Sequence, residues 1–139
     1  MRILIADKLP DSAVSHLESA GCTVEFEPTL KGEALTAALG IHNPEVLIVR
    51  STKVTQADIE AGHSLSLIVR AGAGVNTIDL TSAASRGVYV ANCPGKNATA
   101  VAELTWGHIL NADRRISEGV ADLKRGQWRK KLRGHFISK

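Results

Sequence analysis

Cysteine is nearly absent from this sequence, aromatic side chains make up only 4% of it, and no apolar run approaches the length of a bilayer. Each shortage excludes a class of protein. The two cysteines, Cys22 and Cys93, stand 71 positions apart without a C-x-x-C pair, and no two histidines sit at metal-ligand spacing. A disulfide scaffold and a zinc site are therefore set aside, and reduced thiols in a cytoplasmic setting are the expectation. A membrane helix needs roughly 18 or more apolar residues in a row. The chain has none, and it does not open on a basic segment leading into a cleavable apolar stretch, so a soluble protein with no membrane partner is expected. The basic C-terminal run lacks interleaved aromatics apart from Trp128 and matches no binding module, which argues against nucleic acid as a partner.

What is present is ordinary globular composition over 139 residues, 44% hydrophobic and 22% charged, enough for one core but not two. The formal charge of +3 conceals a split. Residues 1–112 carry 8 basic and 11 acidic side chains, a sum of −3, whereas residues 113–139 carry 9 and 3, a sum of +6. All of the basic surplus lies at the C-terminal end.

Short β-branched runs alternate with amphipathic stretches, and Gly, Pro or Asn marks the joins. Arg2 to Asp7 reads as a buried strand, followed by a helix opening at Pro10-Asp11-Ser12, with Val14, Leu17 and Ala20 on one side and Gly21 at its end. Thr23 to Glu27 alternates with period two and suits a strand near the sheet edge. Gly32 to Leu39 is a helix with Leu35, Ala38 and Leu39 inward, which Gly40 is expected to stop. Val46 to Val49, Leu65 to Val69 and Val88 to Asn92 are three further strands, with a short helix from Thr55 to Ala61 between the first two. This rhythm predicts an α/β fold built on a parallel sheet with right-handed crossovers. After the Cys93-Pro94-Gly95 turn the pattern changes at residue 97 to a long helix whose apolar flank is Val101, Leu104, Trp106, His108, Ile109 and Ala112. It continues through Ile116 to Leu123 into a basic segment. A helix that apolar needs a partner surface.

Gly72-Ala73-Gly74 follows the fourth strand, at the sheet edge where open α/β folds bind ligands. It is not a dinucleotide fingerprint, because Thr77 stands where a third glycine belongs and Asp79 comes only five residues after Gly74. The tripeptide can form a nest of backbone N–H groups for a carboxylate or phosphate, or it can be a plain turn. Arg50, Ser51, Thr52 and Lys53 follow the third strand, and Arg70 closes the fourth, so cations and hydroxyls converge on one rim. A guanidinium fork with hydroxyl donors suits carboxylate or phosphate oxygens. The five histidines show no triad relation, Glu103 reads as a local helix partner, and no catalytic residue emerges from spacing.

Taken in order, Leu47-Ile48-Val49-Arg50-Ser51, Arg70 through Leu80, Asn92-Cys93-Pro94, Asn97 through Thr105, and Lys124-Arg125-Gly126-Gln127-Trp128 resemble the N-terminal part of the phosphoglycerate dehydrogenases, within the D-isomer-specific 2-hydroxyacid dehydrogenases. The likeness runs from Ile3 to about Leu132. It implies a flavodoxin-like, doubly wound substrate lobe at 1–96, and at 97–139 an interdomain helix and basic segment leading to a Rossmann cofactor lobe that is itself absent. It also implies oxidation of a 2-hydroxy acid by hydride transfer to NAD, with a small anionic substrate such as D-3-phosphoglycerate, in serine biosynthesis. By position, the resemblance assigns Arg50, Ser51 and Arg70 to the substrate's anionic groups. The loop from Gly72 through Gly74 to Val75 offers backbone N–H groups to a carboxylate, Ala73 and Val101 contact the cofactor, and Arg129 or Lys130 adds a cation directed at phosphate. The sequence departs from the family at Asn76, where Asp is usual, and in an Arg-Ser segment one residue short before Thr52-Lys53. Because the family's catalytic Arg, Glu and His lie beyond residue 139, the expectation is a portion inactive alone. The alternative is an orphan lobe that binds a small anion or dimerises through the 97–116 helix.

Overall fold

The computed structural model describes residues 1–129. Five strands, β1 (Arg2–Ile5), β2 (Thr23–Phe26), β3 (Val46–Val49), β4 (Leu67–Arg70) and β5 (Tyr89–Asn92), form one parallel sheet in the order β2-β1-β3-β4-β5. Between them run α1 (Asp11–Ser19), α2 (Glu33–His42), α3 (Gln56–Ala61) and α4 (Leu80–Ser85). This is the flavodoxin-like strand order, with a switch point between β1 and β3, where consecutive connections depart in opposite directions. Ligands of such sheets bind outside the carboxyl ends of the strands at that point.

Strand alternation sorts the core into two faces. Leu4, Leu47, Val49 and Ile68 point to one side and pack with Leu35 and Leu39 of α2, Ile59 of α3 and Ala83 of α4. Ile3, Ile5 and Val46 point to the other side, with Val14 and Leu17 of α1 against them. The central strands β1 and β3 are nearly continuous apolar runs because both faces are covered, whereas β2 and β5 sit at the edges and expose most of their residues. The edge position expected for Thr23 to Glu27 is the one observed.

Three local expectations change. Gly40 does not stop α2, which runs on to His42 and ends at Asn43 in the left-handed conformation, φ 41°. Asn43 makes a better terminus because its Oδ1 accepts the Ser64 N–H at 2.8 Å and its carbonyl accepts from Arg2 Nη2 at 3.0 Å. The helix α4 is additional to the expected elements: Leu80, Ala83 and Ala84 stand at i, i+3 and i+4, but over only six residues, and Asp79 caps it by accepting the Ser82 N–H at 3.0 Å. Finally, the helix that follows residue 97 is broken: α5 (Ala98–Arg114) ends at Arg115, itself left-handed at φ 52°, and α6 (Ile116–Lys124) begins there.

Internal contacts group the chain into two compact units, Met1–Lys96 and Asn97–Lys139. In the second unit Asp122 is 1% exposed and lies in a basic setting. Its carboxylate accepts from Arg129 Nε at 2.5 Å and Nη2 at 2.6 Å, and from Arg125 Nη2 at 2.8 Å. These two guanidinium groups, Arg129 first, hold the Asp122 carboxyl down at about 2.

Candidate anion-binding site

Every residue at the proposed rim is placed by the end of a parallel strand. Asp7 follows β1, Arg50 and Ser51 follow β3, Arg70 ends β4 and Asn92 ends β5. Val49 pairs with Arg70, and Arg70 with Asn92, so the segments after these strands emerge side by side at roughly the 4.8 Å spacing of a sheet. A bridge between Val54 and Ile78 then ties the two loops together, Val54 N–H donating to Thr77 O at 2.8 Å and Asp79 N–H to Val54 O at 3.0 Å.

At the switch point a cleft of about 450 Å³ is lined by Asp7, Lys8, Pro28, Lys31, Arg50 and Ser51. Asp7 is only 7% exposed. Its Oδ2 accepts three consecutive backbone N–H groups, those of Arg50 at 2.7 Å, Ser51 at 3.0 Å and Thr52 at 2.9 Å, while Oδ1 accepts the Ser51 hydroxyl at 3.0 Å. Burial alone raises its pKa, but the backbone donors of Arg50, Thr52 and Ser51 outweigh burial and bring it to about 2. Because the folded value is depressed, the stabilisation is present above the ordinary 3.8 and is lost as pH falls from there through about 2. Among the described residues the guanidinium of Arg50 and the ammonium groups of Lys8 and Lys31 make no ion pair, and all three side chains are exposed. The cleft thus presents three uncommitted cations beside one carboxylate that is already fully bonded.

The second part of the rim is the loop after β4. Its carbonyls are all engaged inward: Gly72 O accepts the Cys93 N–H at 2.9 Å, Ala73 O accepts Asn92 Nδ2 at 2.7 Å, and Gly74 O accepts Arg70 Nη1 at 2.7 Å. Its donors are not. Among the described residues no acceptor takes the N–H groups of Ala73, Gly74 or Val75, and Ala73 and Gly74 are exposed. A backbone with carbonyls tied back and N–H groups free is built to receive an anion. Neither glycine serves a left-handed turn, since neither has a positive φ. A Cβ on Gly74 would stand 3.3 Å from Arg70 Nη1, a tight approach, whereas one on Gly72 would meet the same atom at an ordinary 3.4 Å.

The residues read from the sequence therefore divide by role. Arg50, Ser51 and the Gly72, Ala73, Gly74 and Val75 loop share one rim. Arg70 lies beneath that loop and donates one Nη to it, and its Nε is buried without a partner among the described residues. Val101 belongs to the second unit, where it is 51% exposed on α5. Lys130 lies outside the described residues, and Arg129 is engaged by Asp122. Asp7, Asn92, Lys8 and Lys31 were not singled out by sequence. Asp7 could have been found only as a carboxylate at the end of a central strand, because its partners are 43 to 45 positions away.

The described residues do not fit the pyrophosphate of a dinucleotide. The candidate turn after β4 leads to α4, whose N-terminus is filled by the Asp79 carboxylate, so the position that holds phosphate in a dinucleotide fold already carries a negative charge.

Residues 3–133 match the family model described as D-isomer specific 2-hydroxyacid dehydrogenase, catalytic domain. The chain belongs to that family. D-3-phosphoglycerate dehydrogenase of Methanocaldococcus jannaschii is 43% identical over 136 residues, 96% of this chain and 25% of that protein. Hydroxypyruvate reductase of Thermotoga maritima is 48% identical over 92 residues, 66% of this chain and 30% of that one. Among solved structures, the NAD+-bound 3-phosphoglycerate dehydrogenase of Entamoeba histolytica superposes with a TM-score of 0.72 at 33% identity, over 82% of this chain and 39% of that one. The chain spans about a quarter of the length of the phosphoglycerate dehydrogenases it resembles. No helix among the described residues of this 2-hydroxyacid dehydrogenase family member is long and apolar enough to cross a membrane.

Proposed function

We propose that this chain is the N-terminal, substrate-binding portion of an NAD-dependent D-3-phosphoglycerate dehydrogenase-like oxidoreductase, inactive alone. Residues 1–96 form the substrate lobe, and 97–139 form the helix and basic segment that lead toward a cofactor domain. The observation that carries the reading is the rim itself: free N–H groups at Ala73, Gly74 and Val75 beside the unpaired cations of Arg50, Lys8 and Lys31. A substrate with an anion at each end uses both parts, a carboxylate on the loop and a phosphate toward Arg50, with Ser51 holding the β3 loop through its bonds to Asp7, and it is thereby fixed in one orientation. NAD would accept hydride in the whole enzyme, its dinucleotide half held by residues other than those described. What this chain supplies is binding and orientation.

Calorimetric titration tests this reading with D-3-phosphoglycerate and D-glycerate. The two parts acting together predict a dissociation constant on the order of 1 mM for the phosphorylated acid. Arg50→Ala should weaken that affinity by at least about tenfold, consistent with loss of a charge-assisted contact. Equal affinity for the two acids would remove the phosphate-directed role of Arg50.

A dimer through segment 97–116, which Arg115 divides into α5 and the start of α6, is the second reading, favoured by Leu104, Trp106, Ile109 and Ile116, each between 45% and 62% exposed. Apolar surface of that extent commonly finds a partner. Sedimentation equilibrium should show a dimer that Trp106→Glu converts to monomer. A wild-type chain that stays monomeric at high concentration would contradict it.

A further inference from the structure

The Arg50–Ser51–Thr52 segment presents three successive backbone N–H groups to one point, a concave arrangement of the kind that captures anions. In this chain the point is already taken by the protein's own carboxylate. We propose that Asp7 is a positioning residue for the anion site, filling the strand-end nest so that the loop is fixed and the Arg50 side chain is presented outward to ligand. This inference rests on the proposed role of Arg50 in binding the substrate's phosphate.

The argument is one of donor accounting. Four donors converge on two carboxylate oxygens, at 2.7 to 3.0 Å, and leave the loop no backbone N–H at Arg50, Ser51 or Thr52 with which to bind an external anion. The two parts of the rim therefore recognise anions by different means. On the Gly72 to Val75 loop the carbonyls are tied back and the backbone donates, whereas on the β3 loop the backbone N–H groups and the Ser51 hydroxyl are taken by Asp7 and the Arg50 guanidinium is left to meet an anion. The segment is also short, with only four residues between the buried Val49 and the buried Val54. A tight loop between a buried strand end and the buried Val54 has few alternative ways to satisfy three consecutive N–H groups.

The neighbouring charges give the idea a sign that separates it from simple electrostatics. Asp7 lines the same cleft as Lys8, Lys31 and Arg50, so as a bare negative charge it opposes an incoming anion, and its removal would tighten binding. As a positioning residue its removal weakens binding. Asp7→Asn keeps an acceptor oxygen for the three N–H groups, offers its amide to the Ser51 hydroxyl and discards the charge. Asp7→Ala discards both.

Two measurements on the full chain decide between these roles. Amide hydrogen exchange in the wild type should show Arg50, Ser51 and Thr52 slowed at least tenfold, a ~1 to 2 order effect of a made hydrogen bond, relative to Ala73, Gly74 and Val75, whose donors are free. Asp7→Asn should keep that protection and Asp7→Ala should lose it while exchange in α2 and β4 is unchanged. Titration with D-3-phosphoglycerate should then give an affinity within about threefold of wild type for Asp7→Asn and at least about tenfold weaker for Asp7→Ala.

Wild-type amides at 50–52 exchanging as fast as those at 73–75 would overturn the proposal, and this comparison stands even if Asp7→Ala does not fold. A folded Asp7→Ala that binds as well as wild type or better would overturn it too, as would equal losses in the Asn and Ala variants. If the wild type binds no phosphoglycerate, the reading of Arg50 fails. The exchange comparison still decides whether Asp7 holds the loop.

Discussion

Leu47→Ala is expected to lower the stability of the first unit by about 3 kcal/mol, in the range for deleting a buried leucine side chain and leaving a partly collapsed cavity. Leu47 is 0% exposed on the central strand β3, in the cluster that joins Leu4 and Ile68 of neighbouring strands to Leu39 of α2. Strands on both sides hold the backbone in place, so the cavity cannot close by a shift of the main chain. For a chain of this size the loss corresponds to a fall of about 10 °C in Tm. Ile41→Ala provides the contrast, since Ile41 is 78% exposed although it sits two positions beyond the buried Leu39 of α2. That variant should stay within about 0.5 kcal/mol of wild type. Thermal unfolding of the two proteins side by side checks both values, and equal destabilisation would show that the core is not organised around β3.

Asp58→Ala is expected to cost about 2 to 4 kcal/mol, for a different reason. Asp58 is 1% exposed, and its Oδ2 accepts the Thr55 N–H and the Thr55 hydroxyl, both at 2.8 Å, while Oδ1 accepts the Thr36 hydroxyl at 2.6 Å. One carboxylate therefore caps the start of α3 and ties it to α2. Removing it leaves the half-buried Thr55 N–H and hydroxyl without their acceptor, each at a desolvation penalty of ~1 kcal/mol or more, and leaves the Thr36 hydroxyl only Gly32 O at 3.4 Å, whereas Thr36→Ala costs about 1 kcal/mol. Urea unfolding with an unchanged slope should rank the two variants in that order. A cost for Asp58→Ala no larger than for Thr36→Ala would mean that water replaces the carboxylate without loss.

These residues also show how far the sequence reaches. The strands were legible because a parallel sheet covered on both faces leaves unbroken apolar runs such as Val46 to Val49, and no other element of that length needs one. The short helix from Thr55 to Ala61 was legible, but that the Asp58 carboxylate caps it and also takes Thr36, 22 positions away, was not. Helix ends were harder. Gly40 and Asn43 are both plausible stops, and the choice fell to Asn43 because its side chain and carbonyl find partners at Ser64 and Arg2.

At the site the same limit applies. Arg50, Ser51 and the glycine loop could be placed on one rim from strand ends alone. That Arg70 donates to Gly74 O, that Asn92 holds Ala73 O, and that Asp7 gathers three N–H groups from β3 depend on which strands become neighbours, and adjacency across a sheet is not written in local pattern. Gly74 illustrates the point most clearly. The sequence suggests freedom of turn there, and the structural reason is the approach of the Arg70 guanidinium.

The central claim is that one anionic substrate engages both parts of the rim, and chemical-shift mapping tests it most directly. D-3-phosphoglycerate added to the isotopically labelled chain should shift the amides of Ala73, Gly74 and Val75 and the side-chain guanidinium of Arg50 together, with one saturating curve, and leave α1 unmoved. Shifts confined to the basic residues after Arg115, or separate curves for the loop and for Arg50, would contradict the account.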